Sequence, residues 1–230
     1  MKKTVALVFG LLLTVVSYAQ KDVTKFLGIP VDGTKAAMIQ KLKAKGFKHN
    51  VTFDYLEGEF NGRDVEVHVV TNNNKVWRIM VKDKYPTSKE STIKTRFNTL
   101  CDQFVKNGKY IPANLTGEYK IDEDEDISVQ MEVYNKVYEA VYFQTSENDR
   151  DSAAVRKWAE DIVSKKYTEE ERENMSEEES QQLFMDLVVE WITERISKKS
   201  VWFTISELYG DYSIILYYDN EYNHANGEDL

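Results

Sequence analysis

The chain has 230 residues, of which 42% are hydrophobic and 30% charged, with 10 Gly, 3 Pro and a single Cys. Scarce Gly and Pro exclude a collagen-like or low-complexity chain, and one Cys excludes a disulfide scaffold. The length allows one large or two small domains, each with a real core.

Residues 1–20, MKKTVALVFGLLLTVVSYAQ, start with Lys2 and Lys3, continue through an apolar run from Val5 to Val16 and end on Ser17-Tyr18-Ala19. That pattern predicts a secretory signal peptide of residues 1–19 or 1–20. The run is too short to span a hydrocarbon core, which takes about 20 residues, and no Cys follows it to carry a lipid. A later apolar stretch of spanning length is absent, so no membrane span is expected in the mature chain. The compact basic start suits a bacterial exporter and predicts a periplasmic or secreted protein.

Without residues 1–20, 28 basic residues face 39 acidic ones, a net charge of −11. The charge is unevenly placed. Residues 21–110 hold 17 basic and 10 acidic residues, and residues 111–230 hold 11 basic and 29 acidic. Either the two parts attract each other or each meets a different partner. An acidic half disfavours nucleic acid, which needs a basic stripe.

Gly33-Thr34 opens a helical pattern with Met38, Ile39 and Leu42, stopped by Gly46. Phe47 to Phe60 alternates as a strand, with Phe47, His49, Val51, Phe53 and Tyr55 on one side. Asn61-Gly62 is a hairpin signal, followed by a strand lined by Val65, Val67 and Val69. A turn at Asn72-Asn73-Asn74 leads to a strand lined by Trp77, Ile79 and Val81. The other face of this meander carries Asp54, Glu66, His68 and Arg78. Thr87 and Glu90 form a predicted capping box for a helix whose core stripe is Ile93, Phe97, Leu100, Cys101 and Phe104, stopped by Gly108.

The loop from Ile111 to Lys120 marks the expected boundary between a helix–meander–helix unit, 21–110, and a strand-rich unit, 111–230. In the second unit Ile127, Val129, Met131 and Val133 alternate, Asn135-Lys136 turns, and Val137, Val141 and Phe143 continue a hairpin. Residues 146–200 form an acidic two-helix insert, with apolar stripes on Val155, Trp158, Ala159, Ile162 and Val163 and on Leu183, Leu187, Val188, Trp191 and Ile192. Thr168 with Glu171 and Ser176 with Glu179 start its helices. The final hairpin buries Val201, Phe203 and Ile205, then Tyr212, Ile214, Leu216 and Tyr218. Helix plus meander at 34–83 is echoed from residue 87 onward. The fold class is α+β: antiparallel sheet with helices on one face, in two loosely repeated units.

Asp122, Asp124 and Asp126 share the alternate spacing of a calcium loop, but Ile127 and Val133 stand where such a loop wants Gly and Glu. A solvated acidic turn is the expected role, with calcium the weaker candidate. His49, His68 and His224 lack ligand spacing, and Cys101 lies on an apolar stripe. G-x-S-x-G, G-x-x-x-x-G-K-[ST] and G-x-G-x-x-G are all missing. These absences predict a non-enzymatic protein without a cofactor. The aromatic residues are more telling. Alternation puts Tyr138, Tyr142, Trp202 and Tyr217 on the face away from the aliphatic rows, where Tyr and Trp anchor proteins or stack on sugars unless the insert or the other half buries this face as well.

Phe26-Leu27-Gly28-Ile29-Pro30-Val31-Asp32-Gly33-Thr34, the helix ending at Gly46-Phe47, and Tyr217-Tyr218-Asp219-Asn220 with Asn226-Gly227-Glu228-Asp229-Leu230 resemble small secreted proteins of gut-type Gram-negative bacteria, a family with no activity to transfer. Gly-Thr opening a helix before a meander is similar to the architecture of β-lactamase-inhibitor proteins and outer-membrane-assembly lipoproteins, which implies a tandem helix-plus-meander presenting its sheet to a protein. The expectation is an exported binding protein that uses an aromatic sheet face toward a protein or glycan at the cell envelope. The alternative is a glycan- or calcium-binding envelope protein, and an enzyme comes third.

Overall fold

The computed structural model describes residues 22–225 apart from residue 115. The signal peptide expected at residues 1–20, Lys21 and the tail from Asn226 lie outside the described residues. The elements run β1 (Lys25–Phe26), β2 (Ile29–Pro30), α1 (Lys35–Ala44), β3 (Lys48–Asn50), β4 (Tyr55–Phe60), β5 (Arg63–Asn72), β6 (Lys75–Asp83), α2 (Glu90–Asn107), β7 (Tyr110–Pro112), α3 (Ile127–Tyr134), β8 (Glu139–Gln144), α4 (Glu147–Arg150), α5 (Ser152–Lys166), α6 (Glu169–Glu173), α7 (Glu177–Trp191), a π-helical turn (Ile192–Ile196), β9 (Ser200–Leu208) and β10 (Asp211–Asp219). The protein is α+β. Strands β3 to β10 form one eight-stranded sheet in the order β3-β4-β5-β6-β10-β9-β8-β7, and β1 pairs with β2. All pairings are antiparallel.

That order is a mirrored repeat. One helix and four strands, α1 with β3–β6, are followed by α2 with β7–β10, and the last strand of each set, β6 and β10, meet at the centre. The repeat therefore starts at α2, and Tyr110 is the first residue of β7. Register lines up one core row across six strands: Leu56, Val67, Val81, Leu216, Phe203 and Ala140. All six are buried, and α1 covers them with Met38 and Leu42 while α2 covers them with its five-residue stripe. Phe97 meets Phe203 edge-on at 4.9 Å, and Phe104 stacks on Tyr142 at 4.6 Å. Thr34 caps α1, accepting from the Ala37 N–H, and Gly108 ends α2 in the left-handed region.

Several local expectations are corrected. Residues 127–134 are helix, not strand: Asp126 accepts from the Val129 N–H as N-cap, and Ile127 faces the core while Val133 is exposed. The strand 47–60 breaks at a turn over residues 51–54, which leaves Val51 and Phe53 exposed. Helix α2 starts at Glu90, because Thr87 is held in a β-bridge to Tyr212 and Glu90 accepts from the Ile127 N–H. The insert contains four helices, two of them short; both predicted capping boxes, Thr168–Glu171 and Ser176–Glu179, are formed.

At Gly58 a Cβ would stand 2.6 Å from Cδ1 of Phe47, whose ring lies against the strand there. Gly58→Val is expected to destabilise the fold by about 2–3 kcal/mol through overpacking, read as a lower urea midpoint. An unchanged midpoint would mean that the Phe47 ring can swing away at no cost.

Candidate functional site: the open sheet face

Helices α1, α2 and α3 bury their apolar residues on one side of the sheet. The opposite side carries a second set of rows. One runs in register through His68, Met80, Tyr217, Trp202 and Val141, on β5, β6, β10, β9 and β8. Each of these side chains is half-buried, covered in part by its row neighbours.

At the centre of this face, Trp202 stacks on Tyr217 with 4.0 Å between ring centroids and 19° between planes. The Arg78 guanidinium lies 4.7 Å from the Tyr217 ring, 5.4 Å from Trp202 and 4.2 Å from Trp77. Arg78 sits directly opposite Asp219 across the β6–β10 pair. It donates Nε and Nη2 to the two carboxylate oxygens, each at 2.6 Å. Trp202 Nε1 donates to the same carboxylate at 2.9 Å. Asp219 is buried, so this fork works in a poorly hydrated place where charge-assisted bonds are strong. Burial raises the Tyr217 hydroxyl above its ordinary value, with Arg78 pulling the other way.

Trp77 reaches this cluster through a bulge. Pairing slips between Val70 and Thr71, so Trp77 is the extra residue on β6 and stands beside Arg78 rather than in line with Ile79 and Val81. Its ring packs on His224 at 4.6 Å. Further along the face, Tyr55 packs on His68 at 5.5 Å, and burial holds the His68 imidazole below its ordinary value.

Of the four predicted aromatic site residues, the structure brings two together. Trp202 and Tyr217 are stacked partners on the open face. Tyr138 and Tyr142 are corrected: both are buried on the helix-covered side. Strand β8 and the residue before it are one residue out of the expected register, so Tyr138, Ala140 and Tyr142 face the core while Val137 is exposed. The sequence pattern puts Trp77 on the core row and Arg78 on the wet face, with nothing to join them.

The acidic turn is tied to its own chain. Asp126 is occupied with Ser128 Oγ and the Val129 N–H, both at 2.9 Å. The Lys94 ammonium donates to the carbonyl oxygens of Glu123 and Glu125, filling the turn with the chain's own cation. Among the described residues no three His, Cys, Asp or Glu side chains are grouped to hold a metal. Cys101 is buried, and burial pushes its thiol up to about 11, away from thiolate chemistry.

On the helix-covered side, a cleft of about 1650 Å³ opens beside α2, floored by Leu216, Tyr218 and Phe104. Three lysines, Lys25, Lys106 and Lys109, and three carboxylates, Asp22, Glu59 and Glu147, line it. Their charges cancel, and the cleft selects no sign of ligand.

No family model, curated protein or solved structure matches this chain. Among the described residues no helix is long and apolar enough to cross a membrane.

Proposed function

We propose that this is an exported, non-enzymatic binding protein of the periplasm or exterior, and that it takes a protein partner on the open sheet face. The observation that carries the reading is the Arg78 cation held among Trp77, Tyr217 and Trp202 and locked by buried Asp219. Trp, Tyr and Arg are the residues that dominate interface hot spots. Here they are already ordered, so little side-chain entropy is lost on association. The mirrored repeat adds breadth, because it sets this cluster at the middle of an eight-stranded platform.

The test uses a photo-crosslinking residue at Thr204, on the open face, and at Lys106, on the other, in cell-envelope extract. Adducts with a discrete partner are expected from position 204 and not from 106. Trp202→Ala with Tyr217→Ala should cut their yield at least about tenfold, the scale of a hot-spot loss. Equal labelling from both faces would end the reading. Binding to a glycan panel that vanishes in the same double variant would move the ligand class from protein to sugar.

A further inference from the structure

From Leu183 onward, helix α7 and the first residue of the π-helical turn are apolar nearly all the way round. Of the ten residues from Leu183 to Ile192 only Asp186 and Glu190 are polar, four apart on one stripe. A helix of that kind belongs in an interior. Yet no residue of α5, α6 or α7 is buried. One side of α7 is half-covered, through Leu183, Leu187, Val188 and Trp191, and the Lys166–Glu190 ion pair at 2.9 Å ties it to α5. The rest is open: Phe184 is 64% exposed, Met185 56% and Val189 59%. Exposed apolar residues clustered in this way mark a contact surface. The surroundings are acidic, with ten carboxylates and one Arg in residues 167–194. A second copy of the same hairpin would bring like charges together, so the cover has to be apolar and basic.

The chain carries such a surface at its other end. The turn between β3 and β4 exposes Val51 by 79% and Phe53 by 70%. Residues 34–54 around it hold five Lys and one carboxylate, Asp54, which is already paired with Lys35 and leaves four Lys in excess. Lys41, Lys43, Lys45 and Lys48 are exposed. Strand β3 is one edge of the sheet, whereas the hairpin leaves from between β8 and β9 in the other half. We infer that the occupant of the α7 face is the β3–β4 turn of a second copy of this chain. Phe53 and Val51 sit on Phe184, Met185 and Val189, with the lysines facing the carboxylates. Such a contact joins unlike surfaces, so it runs head to tail and leaves a free turn and a free α7 on the outer copies.

The experiment uses the chain from Lys21 onward, which holds every described element, in light-scattering chromatography and sedimentation. At about 0.05 M salt, association rising with concentration is expected, and at about 0.5 M salt it should be lost as screening shortens the reach of the charges. Phe53→Asp and Met185→Lys should each give monomers whose circular dichroism and melting match the parent. Mixed one to one, they should form dimers and nothing larger, because only one intact turn and one intact α7 face remain to meet. Three results would overturn the inference. The parent could stay monomeric at low salt, association could strengthen with salt, or Phe53→Asp could associate as the parent does. The last two would assign the α7 face to another α7.

Discussion

Lys199→Met is expected to lower stability by about 3 kcal/mol, because it takes a cation away from a buried carboxylate. Lys199 is 1% exposed. Its ammonium bonds the Asp149 carboxylate, also buried, and Asp22 at 2.6 Å. Methionine keeps the stem but leaves Asp149 with less to offset its burial. The pH dependence follows from the sign of the shift. Burial alone would raise the Asp149 carboxyl, but Lys199 and Ser146 outweigh it and hold the group below its ordinary value. A carboxyl lowered on folding stabilises at pH above its unfolded value, about 3.9, and that contribution disappears as pH falls through the lower folded value. The deficit of the variant should therefore be full at pH 7 and shrink toward pH 3. Thermal melts across that range check it, and an equal deficit at both ends would mean that the Lys199–Asp149 charge pair is not what the variant loses. Asp149→Asn in the same chain should recover part of the loss at pH 7, since the buried carboxylate charge that lost Lys199 is then gone.

Arg78→Met is expected to cost about 2–4 kcal/mol of stability and to reduce open-face crosslinking by at least about tenfold. Removing the guanidinium leaves buried Asp219 with the Trp202 indole N–H as its side-chain donor in the cluster. It also frees the rings of Trp77, Tyr217 and Trp202 from the cation that aligns them. Because Arg78 is itself 23% exposed, solvent recovers some of the charge and offsets part of the cost. Arg78→Lys separates the two roles. A lysine restores charge but not the two-pronged fork, so stability should return further than crosslinking does. Equal recovery of both would remove the geometric role assigned to the fork.

The core was legible wherever one period spoke alone. The α2 stripe, the Asn61-Gly62 and Asn73-Asn74 turns, and the alternation of β5, β9 and β10 all follow from residue pattern. The 127–133 segment was not, because Ile127, Val129, Met131 and Val133 fit a two-residue period while Ile127 and Met131 also fit a helix. Asp126 as N-cap decides between them, and its role was masked by its place in an acidic run. The strand after it then slipped by one, which turned Tyr138 and Tyr142 from core into an imagined surface. The candidate site was half legible. Trp202 and Tyr217 follow from alternation, but the bulge that turns Trp77 toward Arg78 has no local signature. The Arg78–Asp219 fork joins residues 141 apart, and only the completed sheet brings them together.

The position of β10 has a consequence for how the molecule comes into being. β10, the last of the described strands, is the one that sits between β6 and β9. Before it arrives, the two sets of strands are separate half-sheets, each with an unsatisfied inner border where β10 will pair. Every β6–β10 rung, such as Val81 with Leu216, closes a loop more than half the chain long, so this zipper is slow and comes late. Joining is then a single terminal event that completes the core row, seats Asp219 on Arg78 and assembles the open face together. A nascent or truncated chain ending before Asp211 would lack all three.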